Sequence, residues 1–321
     1  MSLLRIILWR ITQSIFVLLS LSVFLFLAVE ILPGDLASAT APRFVTSDQI
    51  EFSREELGLN RSPITRYFDW ISQILQGNLG VSWSKRAEIA PLLAERLSHT
   101  ALLGLMASCL SIPIGFAAAL IAVINRGSIF DRLTTGTSLA VIAMPEFLIA
   151  YLLMTIFVVT IPIFPAHTVF TDEMRLADRL HAMALPAATL AIAGLAPVLR
   201  VSRACLISVL ASDYIEMAKL KGISITRIIT IHALPNVLPP IINMVVLLVA
   251  NYMVAAFIVE EIFSYPGIGK MMIAAVKFRD IPLVLATGMV FAFFFVILNL
   301  IADLLSIMVS PKLRDPSNSR R

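Results

Sequence analysis

The sequence predicts an all-α polytopic membrane protein. Six transmembrane helices are expected, with a long extracytoplasmic loop after the first and a short cytoplasmic helix between the fourth and fifth. Two observations carry this expectation. Of 321 residues, 59% are hydrophobic and only 14% are charged, against roughly 45–50% and about 25% in an average soluble domain. The apolar residues also collect into uncharged runs close to the ~20 residues that cross a bilayer. A chain this apolar cannot cover itself with polar surface in water. That excludes a soluble globular enzyme, and its hydrophobicity equally excludes a disordered chain.

The spans follow in order. Ile11 to Val29 is uncharged and follows Arg5 and Arg10. Leu97 to Asn125 lies between Arg96 and Arg126, and Leu133 to Ile161 is apolar apart from Glu146. Ala182 to Leu199 leads into Arg200 and Arg203. Pro240 to Val259 closes an uncharged stretch that begins at Ile228, and Ile281 to Ala302 precedes Asp303. The first run resembles a signal peptide that ends at Ala37-Ser38-Ala39, but 19 residues exceed the roughly 7–15 of a signal h-region, so retention is expected. Cys109 and Cys205 sit in or beside apolar runs and read as small helix residues rather than a disulfide framework. The four histidines have no metal-ligand spacing.

Lys and Arg in the short loops set orientation. With six spans, both termini share one side. That side carries Arg5, Arg10, Arg126, Arg132, Arg200, Arg203, Lys219, Lys221, Arg227, Lys312, Arg314, Arg320 and Arg321. The opposite short loops carry only Arg175, Arg179, Lys270, Lys277 and Arg279. The bias places both termini in the cytoplasm. The expected organisation is then 1–32, cytoplasmic N-terminus and first span; 33–96, extracytoplasmic loop with short helices; 97–309, a five-helix core that includes a loop at 206–239; and 310–321, a cytoplasmic tail. In the outer loop, Thr46-Ser47-Asp48-Gln49 and Ser53-Arg54-Glu55-Glu56 fit capping boxes, and Gly58 fits a helix end. Tyr67, Phe68, Trp70, Ile71, Ile74 and Leu75 recur at helical spacing, which predicts a second short amphipathic helix.

The loop at 206–239 is too long for a simple connector of about 2–8 residues. Ser212 or Asp213 can cap a helix whose first turn holds Glu216 and whose last turn holds Lys219 and Lys221, both favourable to the helix dipole. Gly222 is a natural stop. The local chemistry predicts a short helix, a sharp turn at Gly222, and a second helix broken near Pro235.

These residues carry a resemblance. Glu216-Met217-Ala218, then Gly222, then Leu234-Pro235 is similar to the Glu-Ala-Ala…Gly…Leu-Pro loop of bacterial ABC importer permeases. Within that superfamily the chain resembles the dipeptide/oligopeptide/nickel permease family over nearly its whole length. Leu32-Pro33-Gly34-Asp35 is similar to that family's Pro-Gly-Asp after the first span. Glu56-Leu57-Gly58-Leu59-Asn60 and Gly77-Asn78-Leu79-Gly80-Val81-Ser82 match its outer loop. Asp213-Tyr214, Ala218-Lys219-Leu220-Lys221-Gly222 and His232-Ala233-Leu234 match its cytoplasmic loop. The run from Glu260 and Glu261 through Pro266, Gly267 and Gly269 matches the segment after its fifth span, and Asn299-Leu300-Ile301-Ala302-Asp303 its last helix. Met217 departs from the usual small residue, and Pro235 is closer to the broad superfamily than to this branch.

The resemblance implies a non-catalytic permease subunit of an ATP-driven importer in a bacterial inner membrane, with peptides as cargo. Nickel or another small solute is the alternative within the family. It implies a second related permease, two ATPase subunits, an extracytoplasmic solute-binding protein, and no cofactor on this chain. It further implies that Asp213, Tyr214, Glu216, Ala218, Lys221, Gly222, His232, Leu234 and Pro235 form a coupling loop on the ATPase, with Glu216 able to pair with a basic residue there. Glu260, Pro266, Gly267 and Gly269 would form a structural elbow near the outer gate, and the turn chemistry of 265–269 itself fits an elbow.

The residues themselves are consistent with an external motor. No Gly-x-x-x-x-Gly-Lys-Ser/Thr phosphate loop is present; the only Gly-Lys pair, Gly269-Lys270, is followed by Met271. Glu146 follows Pro145 midway along the third run. A carboxylate there costs a few kcal/mol or more and is expected to face the bundle interior or water. Two roles fit it: a pathway-lining acid that meets a cationic group such as a peptide amino terminus, or an internal hydrogen-bonding residue that serves assembly. Asp303 is expected to pack in the bundle or pair with a basic helix end. An ion-coupled secondary transporter is the competing class, but such proteins show repeats and several midplane ionisable groups.

Overall fold

The computed structural model describes residues 3–31, 60–170 and 174–309. The Pro33-Gly34-Asp35 motif, both capping boxes, Gly58, Ala37-Ser38-Ala39 and the tail at 310–321 lie outside them. Among the described residues, the helices are α1 (Leu3–Glu30), α2 (Pro63–Leu75), α3 (Ile89–Ile124), α4 (Ile129–Ala143), α5 (Glu146–Met154, continued by a π-helical turn at Thr155–Thr160), α6 (Leu176–Leu210), α7 (Asp213–Leu220), α8 (Ile225–Arg227, continued by a π-helical turn at Ile228–Ala233), α9 (Leu234–Ile262), α10 (Ile268–Lys277) and α11 (Ile281–Val309). A two-stranded antiparallel hairpin pairs β1 (Val81–Ser82) with β2 (Ala87–Glu88).

Five of these helical stretches are long and apolar enough to cross a bilayer; the sixth candidate is bent. Leu133 to Ile161 is the expected third span, and the structure interrupts it: α4 and α5 meet at 105°. The cause is local. Pro145 has no amide hydrogen to donate into a helix, and its ring pushes the preceding residue out of the α region. Met144 (φ −91°, ψ 127°) and Pro145 (φ −63°, ψ 147°) are accordingly extended, and Glu146 starts a new helix. The other spans exceed their uncharged cores. α3 begins eight residues before Leu97, and α6 runs eleven residues past Leu199. Charged side chains end a hydrophobic run without ending backbone hydrogen bonding.

The described residues fall into two compact units. The first contains 100–265 together with 1–11 and 297 onward. Its core is built on α6, whose buried face includes the small residues Ala182, Ala187, Ala191, Gly194 and Ala196. Small residues let spanning helices approach closely. A methyl group built on Gly194 would lie 1.7 Å from the Tyr252 hydroxyl of α9, so only glycine admits that ring. The hydroxyl donates to Ser111 Oγ on α3 at 2.7 Å, and Tyr252 shares one hydrophobic core with Leu103, Leu190, Val198, Val259 and Phe263. Asp131 of α4 and Arg203 of α6 form a two-pronged ion pair at 2.8 and 3.1 Å. Asp131 also accepts from the Gly127 amide at 3.0 Å, while Ser128 caps the Asp131 amide at 3.2 Å. Arg10 pairs with Asp303 at 2.8 Å. Cys109 and Cys205 are free thiols.

The second unit contains 12–99 and 266–296. The Ser62 hydroxyl accepts from the Thr65 amide and Pro63 opens the helix, so α2 starts four residues before Tyr67. Its Tyr67 and Trp70 pack with Phe26 and Val29 of α1 and Leu285 of α11. Ser22 and Tyr67 share a 2.9 Å hydrogen bond, and Arg66 pairs with Glu30. Ile268, Met271 and Ala275 of α10 pack against Ile89, Leu93 and Leu283. Asp280 is fully buried. It accepts from the Ser82 and Ser84 hydroxyls (2.5 and 2.6 Å), the Ser84 and Trp83 amides (3.0 and 3.2 Å), and the Leu283 amide of α11 at 3.3 Å. One carboxylate therefore fixes the hairpin to the start of a spanning helix.

Burial alone would raise the Asp280 carboxyl. The hydrogen bonds from Ser82, Ser84 and Trp83 outweigh it and hold the group below its ordinary 3.8. A depressed folded-state pKa contributes stability above the ordinary value and loses it as pH falls through the folded value. Asp280→Asn should therefore cost about 1–3 kcal/mol at pH 7. The gap to wild type should narrow below about pH 4. Thermal unfolding in nanodiscs across pH checks this; a gap unchanged down to pH 3 would contradict it.

Candidate functional site

The surface around α7 gathers most of the sequence-derived site residues. α6 ends at Leu210, and Ser212 follows as the residue before α7. Its hydroxyl does not cap α7; it turns back to the Val209 carbonyl at 2.5 Å. Asp213 and Glu216 occupy the first turn instead, so the charge of the acids favours the start of the helix.

The far end of α7 is closed by backbone geometry. The Gly222 amide donates to the Lys219 carbonyl at 2.9 Å, and the Ile223 amide to the Ala218 carbonyl at 3.2 Å. These two bonds make a Schellman cap, which needs a left-handed residue at Gly222. Its φ is +75°. No atom lies within 4 Å of a methyl group built there, so conformation rather than crowding selects glycine.

Orientation of α7 follows from its sidedness. Ile215 and Ala218 are buried with Ile228 against Leu210 and Ile223. Tyr214, Met217 and Leu220 are 46%, 56% and 76% exposed. Spaced by three, they share the outer side of the helix. Three large apolar side chains facing out from an eight-residue helix are unusual for a surface in water. Met217 stands on this outer stripe, so its bulk does not disturb the packing beneath. Glu216 and Lys221 are also exposed.

The rest of the loop returns to the same surface. Asn236 Nδ2 donates to the Tyr214 hydroxyl at 3.1 Å and to the His232 carbonyl at 2.9 Å. His232, Leu234 and Pro235 therefore lie beside α7. The expected break near Pro235 does not occur: α8, its π-helical turn and α9 run on through it. Proline lacks the amide that the i−4 carbonyl would receive, and its ring crowds that carbonyl. The wider π-helical turn at Ile228–Ala233 accommodates both.

Other expected residues lie elsewhere. Glu146 is the first residue of α5, half-buried at the bend, and makes no hydrogen bond or ion pair with the described residues. Glu260 is fully buried near the end of α9 and accepts from Thr100 Oγ1 at 2.6 Å. In the second unit, the Pro266 carbonyl accepts from Arg96 at 3.2 Å and lies 2.9 Å from the His99 ring, Gly267 precedes α10, and Gly269 is buried within it. Among the described residues, no three His, Cys, Asp or Glu side chains are grouped to hold a metal. Sequence reasoning missed the Asp131–Arg203 pair, the Asp280 cluster and α10. Only Asp131 had a local signal: it stands three residues after Ser128, the spacing of a capping box.

Residues 111–315 match the family described as "Binding-protein-dependent transport system inner membrane component". Residues 3–104 match its N-terminal membrane-component segment. A Brucella abortus (strain 2308) protein named as a peptide transport system permease is 30% identical over 311 residues, which covers 96% of this chain and 98% of that protein. A Sinorhizobium fredii protein named as a peptide ABC transporter permease is 29% identical over 308 residues, with the same coverage. The Escherichia coli (strain K12) glutathione transport system permease is 32% identical over 293 residues, which covers 91% of this chain and 93% of that protein.

Proposed function

The chain belongs to the family of binding-protein-dependent transport system inner membrane components, and from that premise we propose that α7 is its docking element for an ATPase subunit. The protein is the membrane-spanning permease subunit of an ABC importer. We further propose that its cargo is peptides, in line with the names of its relatives, with glutathione, itself a small peptide, the neighbouring possibility. In this reading two ATPase subunits supply the energy, a second related permease completes the pathway, and an extracytoplasmic solute-binding protein delivers cargo. The distribution of Lys and Arg supports cytoplasmic termini and a cytoplasmic α7.

The single observation that carries the docking role is the outer stripe of Tyr214, Met217 and Leu220 on a helix anchored beneath by Ile215 and Ala218. A helix rooted on one side and apolar on the other transmits rigid movement to whatever covers it. Glu216 stands beside the stripe for a basic partner group. The Schellman cap keeps α7 short and separates it from α8.

Gly222→Asp adds a side chain in open space but in a left-handed conformation that L-residues resist, at a cost of roughly 1–2 kcal/mol. In the reconstituted transporter this variant should hydrolyse ATP while cargo uptake falls by about tenfold or more. Wild-type uptake with wild-type coupling would refute the role of the cap.

Glu146 we assign to the pathway. Its carboxylate starts α5, where the helix dipole favours negative charge, and has no bond to the described residues. A cationic amino terminus is a suitable partner. Glu146→Gln should raise the KM for peptides with a free amino terminus and leave N-acetylated peptides unaffected. Equal effects on both would sink the contact.

A further inference from the structure

A hollow of about 250 Å³ lies between the end of α3, the end of α6, α7 and the α8 turn. It is lined by Val123, Ile124, Leu210 and Ile229 together with Arg126 and Lys219. No acidic side chain lines it. The two cations come from different elements, the α3–α4 turn and α7, yet face one space. Both are exposed, and neither forms an ion pair with the described residues. The acid that acts on Arg126 at a distance, Asp131, is already satisfied by Arg203 and the Gly127 amide. On α7 itself Asp213 stands in the first turn, and Glu216, three residues before Lys219, forms no ion pair with it.

Carbonyls at the helix ends would repel an anion, but two in the last turns of α3 and α6 are engaged. The Ile121 carbonyl receives both the amide and the side chain of Asn125, each at 3.0 Å. The Val209 carbonyl receives the amide and hydroxyl of Ser212 at 3.1 and 2.5 Å. What remains is two cations beside apolar side chains at the ends of two spanning helices. That is the polarity profile of a phospholipid, phosphate above and acyl chain below. Basic pockets between spanning helices take anionic headgroups.

We propose that this hollow binds the headgroup phosphate of an anionic phospholipid, held by Arg126 and Lys219, with an acyl chain along Val123 and Ile124. An acidic side chain of a protein partner would need only the cations; the apolar side chains beside them favour lipid. The stripe of Tyr214, Met217 and Leu220 stays outside the hollow, so lipid and ATPase need not compete. A bound headgroup would link the fixed end of α3 to α7 and so bias the resting position of that helix. The inference rests on the membrane spans and not on the docking role of α7.

The test is lipid titration of the full-length chain in mild detergent, read by native mass spectrometry. Phosphatidylglycerol is the probe, phosphatidylcholine the zwitterionic control, and inorganic phosphate the competitor. Wild type should retain one phosphatidylglycerol in preference to phosphatidylcholine. The double variant R126Q/K219Q should lose about thirtyfold in affinity at that site, roughly fivefold for each cation. R126K/K219R should retain it. If the double variant does not fold, the single variants R126Q and K219Q should each show the smaller loss. Undiminished phosphatidylglycerol binding by folded R126Q/K219Q would overturn the proposal, as would equal retention of phosphatidylcholine. Displacement of the lipid by millimolar inorganic phosphate would assign a free-phosphate site instead. Loss of ATPase-subunit binding with lipid binding intact would assign the hollow to the partner.

Discussion

In a hydrocarbon solvent an unbonded backbone amide or carbonyl has no water to turn to. Much of this structure follows from that constraint. Each spanning helix closes most of its own hydrogen bonds, although Pro113, Pro186, Pro197, Pro239 and Pro240 lie inside three of them and donate none. Where the chain breaks the pattern, the exception is a proline. Pro145 splits one run into α4 and α5 at 105°. Pro235 is absorbed by a π-helical turn. The same chemistry governs the buried polar side chains. Tyr252 finds Ser111, Asp131 finds Arg203, and Asp280 gathers Ser82, Ser84 and the amide of Trp83. These three pairings join segments distant in sequence.

α7 is the contrast that makes the rest informative. It is rooted by Ile215 and Ala218 yet turns Tyr214, Met217 and Leu220 outward. In the proposed assembly ATP is hydrolysed on another subunit, so movement has to enter through a surface. A helix anchored on one side, apolar on the other and cut short by a left-handed glycine provides one. The neighbouring basic hollow adds a second input at the same helix: the composition of the lipid around it.

The features legible in sequence are those with local causes. Runs of apolar residues located the spans, because partition into hydrocarbon depends on composition over about 20 residues. Helix ends were misplaced, since Glu95, Arg96, Arg200 and Arg203 interrupt hydropathy but not the helical hydrogen bonds of α3 and α6. The α7 loop was readable because its start, its charges and its glycine stop all lie within ten residues. α10 spans only ten residues and falls short of a span pattern. The bonds of Asp131 to Arg203 and of Asp280 to Ser82 join positions 72 and 198 residues apart, and no local pattern announces either. The bend at Pro145 had a signal, but hydropathy averages over a proline and hides it.

The central claim is that the outer stripe of α7 is the face that meets the ATPase. Site-directed cross-linking tests it most directly, in a background where Cys109 and Cys205 are replaced. Single cysteines at Tyr214, Met217 and Leu220 should cross-link to the ATPase subunit in the assembled transporter, while cysteines at Ile215 and Ala218 should not. Cross-links confined to positions outside α7, or equal yields from the buried and exposed positions, would contradict the account.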